Sequence, residues 1–340
     1  SAISTFATTL RYHRTEDDVY QSAILQMYLD SLRHMGKALY ESRGTFHIEH
    51  CAAIMCLAVT AILTPMVGSG WMTHAKGVGD LIEHLGPERF SSGLFHVLFV
   101  GFRPLLLVSS LLNRHATFLA KQEWTTVPFR SQSVFMMQRL LDRASALPSL
   151  LERYYNITDF CEHSNSAVTE RLCQDFHDFL EGLQEWEQIS RLYAQDPLLW
   201  SRANAVGSST AADDLWFPNI MTANSLTHYW AFKIIAKTHL GILHEAMTTP
   251  IYSLRGTLAP ATQTSFADLA EMIYNSMSYL NPPDIRLHNA GSSFFTFPTA
   301  ISGFQRSPDR YSSQLSRCKQ IVNKLRDRGI YFNVFHHRAA

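Results

Sequence analysis

The chain has 340 residues, of which 46% are hydrophobic and only 17% charged, and its 29 Lys and Arg balance 29 Asp and Glu to a formal net charge of zero. So full an apolar quota with so few charges excludes disorder as the dominant state. Zero net charge also argues against a nucleic-acid surface or a polybasic membrane contact in this chain alone, since both need an excess of Lys and Arg.

From the N-terminus, Val19 to Tyr40 places Ile24, Met27, Tyr28, Leu32, Met35 and Leu39 at three- and four-residue spacings, the pattern of an amphipathic helix. Thr15 followed by Glu16, Asp17 and Asp18 supplies a cap and first-turn acids. Cys51 to Leu63 is apolar nearly all round, which predicts a helix at the centre of the packing. Helices are predicted from about Trp71 to Leu85, ended by Gly86-Pro87, and from Phe90 through Leu112, with a kink at Pro104. The two apolar stretches Cys51–Val67 and Leu94–Leu112 are expected to be buried helices rather than membrane spans. The first is at the short limit for a span, and the second carries Arg103 near its centre.

Thr125–Phe129 reads as a connector, Ser133–Leu147 as a helix, and Ala167–Leu192 as a long, charge-decorated amphipathic helix. Asp196–Pro218 is predicted to be a loop with helical pieces, and Asn219–Met247 a long hydrophobic helix. Phe266–Leu280 and Arg310–Arg328 complete the predicted helices, and the sequence leaves room for a short strand around Phe294–Phe297. With no strand alternation and no repeat, the expectation is one all-α domain over residues 1–340, with roughly nine to twelve helices around a largely apolar interior.

Five scattered cysteines without a CxxC exclude a zinc ribbon and a disulfide framework, and they point to an intracellular setting. No phosphate loop, GxGxxG, GxSxG or HExxH occurs, so neither a cofactor nor a metal is expected. His47 and His50 are two nitrogens where a zinc site needs three or four ligands. Asp17-Asp18 and Asp213-Asp214 invite comparison with magnesium-diphosphate motifs, but Gln21 and Phe217 stand where a third acid belongs.

The segment Asn224–Met247 carries His228, Tyr229, Trp230, Lys233, Lys237, His239 and His244 in an otherwise apolar run. Tyr229 and Lys233, four apart, share a helix face, whereas His228 and Lys233 do not. Such residues form either a polar stripe or the few placed polar groups of an apolar cavity. His228, Tyr229 and Lys233 are the catalytic candidates. His74, His96, Arg103 and Trp230 are the ligand-contact candidates; Arg103 and His96 must find partners if buried.

The run from Trp71 to Phe129 contains Trp71, His74, Gly77, Gly86-Pro87, Arg103, Arg114, Phe118-Leu119 and Trp124. It resembles the helical regulatory region, middle to C-terminal, of fungal zinc-cluster (Zn2Cys6) transcription factors. Phe297-Pro298 and the closing helix to Arg328-Gly329 are similar to that region's C-terminal part. The resemblance implies an all-α fold in which these residues determine the packing. In some members the region binds an apolar effector such as a sterol. The six-cysteine DNA-binding cluster is not among these 340 residues.

The resulting expectation is a stand-alone, cofactor-free catalyst on a transcription-factor-like fold. It would hold an apolar secondary-metabolite intermediate for a cyclisation, pericyclic or isomerisation reaction. The alternative is a ligand-sensing, dimerising regulatory domain of a zinc-cluster factor, with the chain in the cytoplasm or nucleus. Either way the partner is an apolar small molecule, with no nucleic acid bound through this chain alone.

Overall fold

The structure, a computed structural model, describes residues 1–12, 18–42, 47–64, 70–159, 166–202, 214–248, 260–282 and 291–326. It is all-α, as its periodicity predicts. The helices are α1 (Ala2–Tyr12), α2 (Asp18–Glu41), α3 (Ile48–Leu63), α4 (Gly70–Leu85), α5 (Gly93–Asn113), α6 (Gln122–Thr126) and α7 (Met136–Ala144). They continue with α8 (Leu147–Asp159), α9 (Ser166–Tyr193), α10 (Ile220–Thr248), α11 (Pro260–Asn275), α12 (Met277–Leu280), α13 (Thr296–Gln305) and α14 (Ser312–Arg326). Twelve of these, among the described residues, have nine residues or more. Single 3-10 turns occupy Pro87–Phe90, Phe118–Ala120 and Val127–Phe129.

The chain divides into two compact units. One comprises Ser1–Leu112, Phe118–Val134 and Asn323–Tyr331; the other comprises Asn113–Thr117, Phe135–Val322 and Phe332–Ala340.

In the first unit α3 packs against α1, α2 and α4. Its Cys51, Leu57, Ala58, Thr60 and Ala61 are all buried, and the small side chains among them let neighbouring helices approach closely. His47 and His50 serve the start of this helix: the His47 N–H donates to His50 Nδ1 at 3.3 Å. That uses an orphan donor of the first turn. Gly86 ends α4 at φ +77°, ψ 156°, a conformation nearly confined to glycine, and Pro87 starts the next turn.

Beyond it lies an aromatic core. Phe90, Phe99 and Trp124 meet with ring centroids 5.6–5.9 Å apart, and Phe129 joins Phe99 at 6.2 Å. Arg103 is 0% exposed here, its guanidinium carbon 5.3 Å from the Phe129 centroid and 5.8 Å from that of Phe99. A cation held over aromatic faces is attracted by the ring quadrupoles, and a planar guanidinium also stacks well. α5 runs through Pro104 as one helix. Among the described residues it is the one helix long and apolar enough to cross a membrane, and half of its most apolar window is buried.

The second unit is built around α10, which packs against α7, α8, α9, α11 and α13. Ala223, Leu226, Thr227, Ala231, Phe232 and Ala236 are buried on successive turns and on different sides of it, as expected of a helix enclosed by others.

The sequence reading misses one local feature. Within the predicted loop Asp196–Pro218 lies an antiparallel pair, β1 (Trp200–Arg202) and β2 (Asp214–Trp216), with Trp200 opposite Trp216. The Arg202 guanidinium covers the Trp216 ring at 4.7 Å, which favours pairing through side chains rather than alternation. Phe294–Phe297, where the sequence leaves room for a short strand, is the turn and start of α13. Of the two acidic pairs, Asp214 opens β2 and Asp18 opens α2, while Asp17 and Asp213 lie outside the described residues.

Candidate functional site

Tyr229 and Lys233 are one turn apart on α10, and the structure brings them together as their spacing predicts. Lys233 Nζ donates to the Tyr229 hydroxyl at 3.0 Å and lies 4.9 Å from the centre of its ring. The Tyr229 hydroxyl donates in turn to Glu187 Oε2 on α9 at 2.5 Å. Glu187 Oε1 accepts from Arg191 Nη2 at 2.8 Å and Nε at 3.2 Å, a bond one helical turn along α9. Trp186, next to Glu187, sets its ring 5.2 Å from that of Tyr229 and is itself fixed by an indole N–H bond to the Met136 carbonyl at 3.2 Å. The result is an ordered chain of ammonium, phenol, carboxylate and guanidinium.

Tyr229 is 1% exposed, whereas the Glu187 side chain keeps 23% of its surface and Lys233 is half-buried. Burial, reinforced by the bond to Glu187 and its negative charge, raises the phenol far above its ordinary value. Burial also pushes the Glu187 carboxyl up, but the hydrogen bonds from Tyr229 and Arg191 and the charges of Arg191 and Lys233 together bring it below the ordinary range. Burial lowers Lys233; the Glu187 charge opposes this and Lys237 adds to it. Lys237, one turn further on, is likewise lowered by burial against the opposing charge of Asp268. The phenol therefore stays protonated and the carboxylate ionised, while the ammonium gives up its proton more readily than a surface lysine.

His228 does not join this group. It is buried on another side of α10, with Nδ1 on the Asn224 carbonyl at 2.8 Å and its ring against Phe232 and Phe295 at 6.1 and 5.7 Å. Burial lowers it to about 4, so it is neutral at physiological pH. Trp230 is buried.

The other three candidates belong to the first unit. His74 Nε2 and the Tyr28 hydroxyl share a hydrogen bond of 2.5 Å between α4 and α2, and burial lowers the imidazole. His96 Nδ1 bonds the Phe90 carbonyl at 3.0 Å and sets its ring edge-on to Phe129 at 5.6 Å. The same Phe129 ring faces Arg103. The seven candidates thus fall into separate groups: Tyr229 and Lys233 are hydrogen-bonded to each other, and His96 and Arg103 share the Phe129 ring.

Sequence reasoning overlooks Glu187 and Arg191. Their signal is an i,i+4 acid–base pair beside Trp186, the one Glu-to-Arg pair at that spacing in α9, but such a pair reads as a solvated helix face. Nothing local shows that it faces α10. Among the described residues no three His, Cys, Asp or Glu side chains converge as a metal site.

No protein-family model matches the chain, and no solved structure matches it significantly. The uncharacterized protein AN5342 of Emericella nidulans is 22% identical over 180 residues, which is 50% of this chain and 38% of that relative. The match therefore spans well under two thirds of the relative's length.

Proposed function

We propose that the chain is a ligand-responsive regulatory domain of the kind carried by fungal zinc-cluster transcription factors. The observation that carries this reading is where the residues of the resemblance lie. Trp71, Arg103, Leu119 and Trp124 are buried, and Gly86 takes a backbone conformation that favours glycine. Arg114 adopts φ +58° just after α5, with its guanidinium 3.8 Å above the Tyr155 ring. Each of these has a packing or backbone task, as the resemblance implies, whereas Gly77, exposed on α4, has none. Tyr229 and His228 are likewise engaged by neighbouring groups of the fold, which suits a binding domain better than an exposed catalytic constellation.

The test starts from the full-length transcript and ends with the full-length protein. The reading expects a six-cysteine cluster in the same open reading frame. It also expects an apolar compound that raises the melting temperature by binding the folded state and changes reporter transcription. A transcript without the cluster, or a compound that binds with no transcriptional effect, overturns it.

A second reading, the cofactor-free catalyst, is favoured by one feature, the Lys233–Tyr229–Glu187 chain, whose members have their protonation preferences pushed apart. It expects turnover of an apolar biosynthetic intermediate that Lys233→Met abolishes while the melting temperature holds.

A further inference from the structure

Lys233 combines features not found together at the other lysines described above. It is half-buried, its Nζ is fixed by a hydrogen bond to a phenol, and a carboxylate that stays ionised stands next in line. By contrast, Lys76 and Lys121 are exposed and ion-paired with Asp80 and Glu83 at 2.7 and 2.6 Å, and the Glu83 contact raises Lys121 further. The groups that set the state of Lys233 are Tyr229 and Lys237 on its own helix and Glu187 on α9, with Arg191 behind Glu187.

We propose that Lys233 is a carbonyl-capturing residue, forming a reversible imine with an aldehyde or ketone on an otherwise apolar ligand. The amine lone pair attacks the carbonyl carbon, and the C=O π pair moves onto oxygen. Two of the original ammonium protons, one released to solvent before the attack and one shifted from the new nitrogen, pass to that oxygen, which leaves as water with its C–O electron pair while the nitrogen lone pair forms C=N. Overall, the ammonium and the carbonyl become a protonated imine and water, with no oxidant or reductant consumed. The Glu187 carboxylate is the counter-ion for the iminium charge, and the Tyr229 hydroxyl holds the nitrogen between them. Burial favours this chemistry because a desolvated lysine releases its proton more readily and becomes nucleophilic. This inference rests on the geometry of the chain and on neither functional reading; it supplies the ligand class for whichever holds.

The experiment is competitive labelling of the folded wild-type protein with hexanal and cyanoborohydride, which reduces an imine to a stable secondary amine, followed by peptide mass mapping. Lys233 is expected to label several-fold faster than Lys76 and Lys121 within the same molecules, and urea should erase the difference. Glu187→Gln removes the charge that keeps Lys233 protonated, so it should speed the labelling of Lys233 and leave Lys76 unchanged. Lys233 labelling no faster than Lys76 in the folded protein overturns the proposal and needs no variant to do so. Preferential labelling without any ligand-dependent transcription removes the regulatory reading while leaving this one standing.

Discussion

The Tyr229 hydroxyl donates to a Glu187 carboxylate 42 positions earlier in the chain, joining α10 to α9 through a single short hydrogen bond. Tyr229→Phe keeps the ring against Trp186 and removes only that bond and the acceptor for Lys233. A hydrogen bond to a charged group contributes about 1.5–3 kcal/mol, and Glu187 retains Arg191, so the lower end of that range is expected. Urea denaturation measures it, and an unchanged midpoint would show that the bond adds nothing to stability.

Arg103→Ala should be among the most damaging single changes in the first unit, costing about 2–5 kcal/mol through the cavity left in the core and the lost stacking on Phe99 and Phe129. Arg103→Lys is not expected to restore stability, because a compact ammonium cannot reproduce the stacking of a planar group on Phe99 and Phe129. Thermal melting of both variants decides it; a lysine variant as stable as the parent would refute the aromatic account.

His228 gives the second unit an acid sensitivity. Its folded value is about 4 against an ordinary 6.5, so between those limits the unfolded chain holds the extra proton. Stability is then fully present above about 6.5, falls as the pH drops through the window and levels off near 4, a loss on the order of 3 kcal/mol. His74, also lowered by burial, acts in the same direction. His228→Leu, placed between Phe232 and Phe295, should flatten the profile of urea midpoint against pH across that window; an unaltered slope would assign it to other groups.

Two glycines of the Trp71–Phe129 run should respond oppositely to alanine. Gly86→Ala should cost about 1–3 kcal/mol because of its backbone conformation, although nothing crowds the site. Gly77 lies inside α4 with open space around it, and Gly77→Ala should stabilise by about 0.5–1 kcal/mol. If both changes destabilise equally, open space at Gly77 is the wrong description.

What the sequence disclosed follows from the reach of each signal. The 3.6-residue spacing of Ile24, Tyr28 and Leu32 announces α2, and the unbroken apolarity of Cys51–Leu63 announces a central α3, because burial writes itself locally. The i,i+4 spacing of Tyr229 and Lys233 likewise foretells their contact. The β1–β2 pair is invisible because three-residue strands are too short to alternate. Glu187 escapes notice because its partner lies on another helix, and nothing in α9 marks which face meets α10. His228 and Tyr229 are adjacent in sequence yet serve different surroundings, since successive residues on a helix point about 100° apart.

The enclosure of α10 by five other helices has a kinetic side. A rod held on every flank cannot fray from its middle, and its departure would leave α7, α8, α9, α11 and α13 without a shared support. Amide protons around Ala231 and Phe232 should therefore exchange with deuterium only when the whole second unit opens, making this stretch the gauge of its global unfolding.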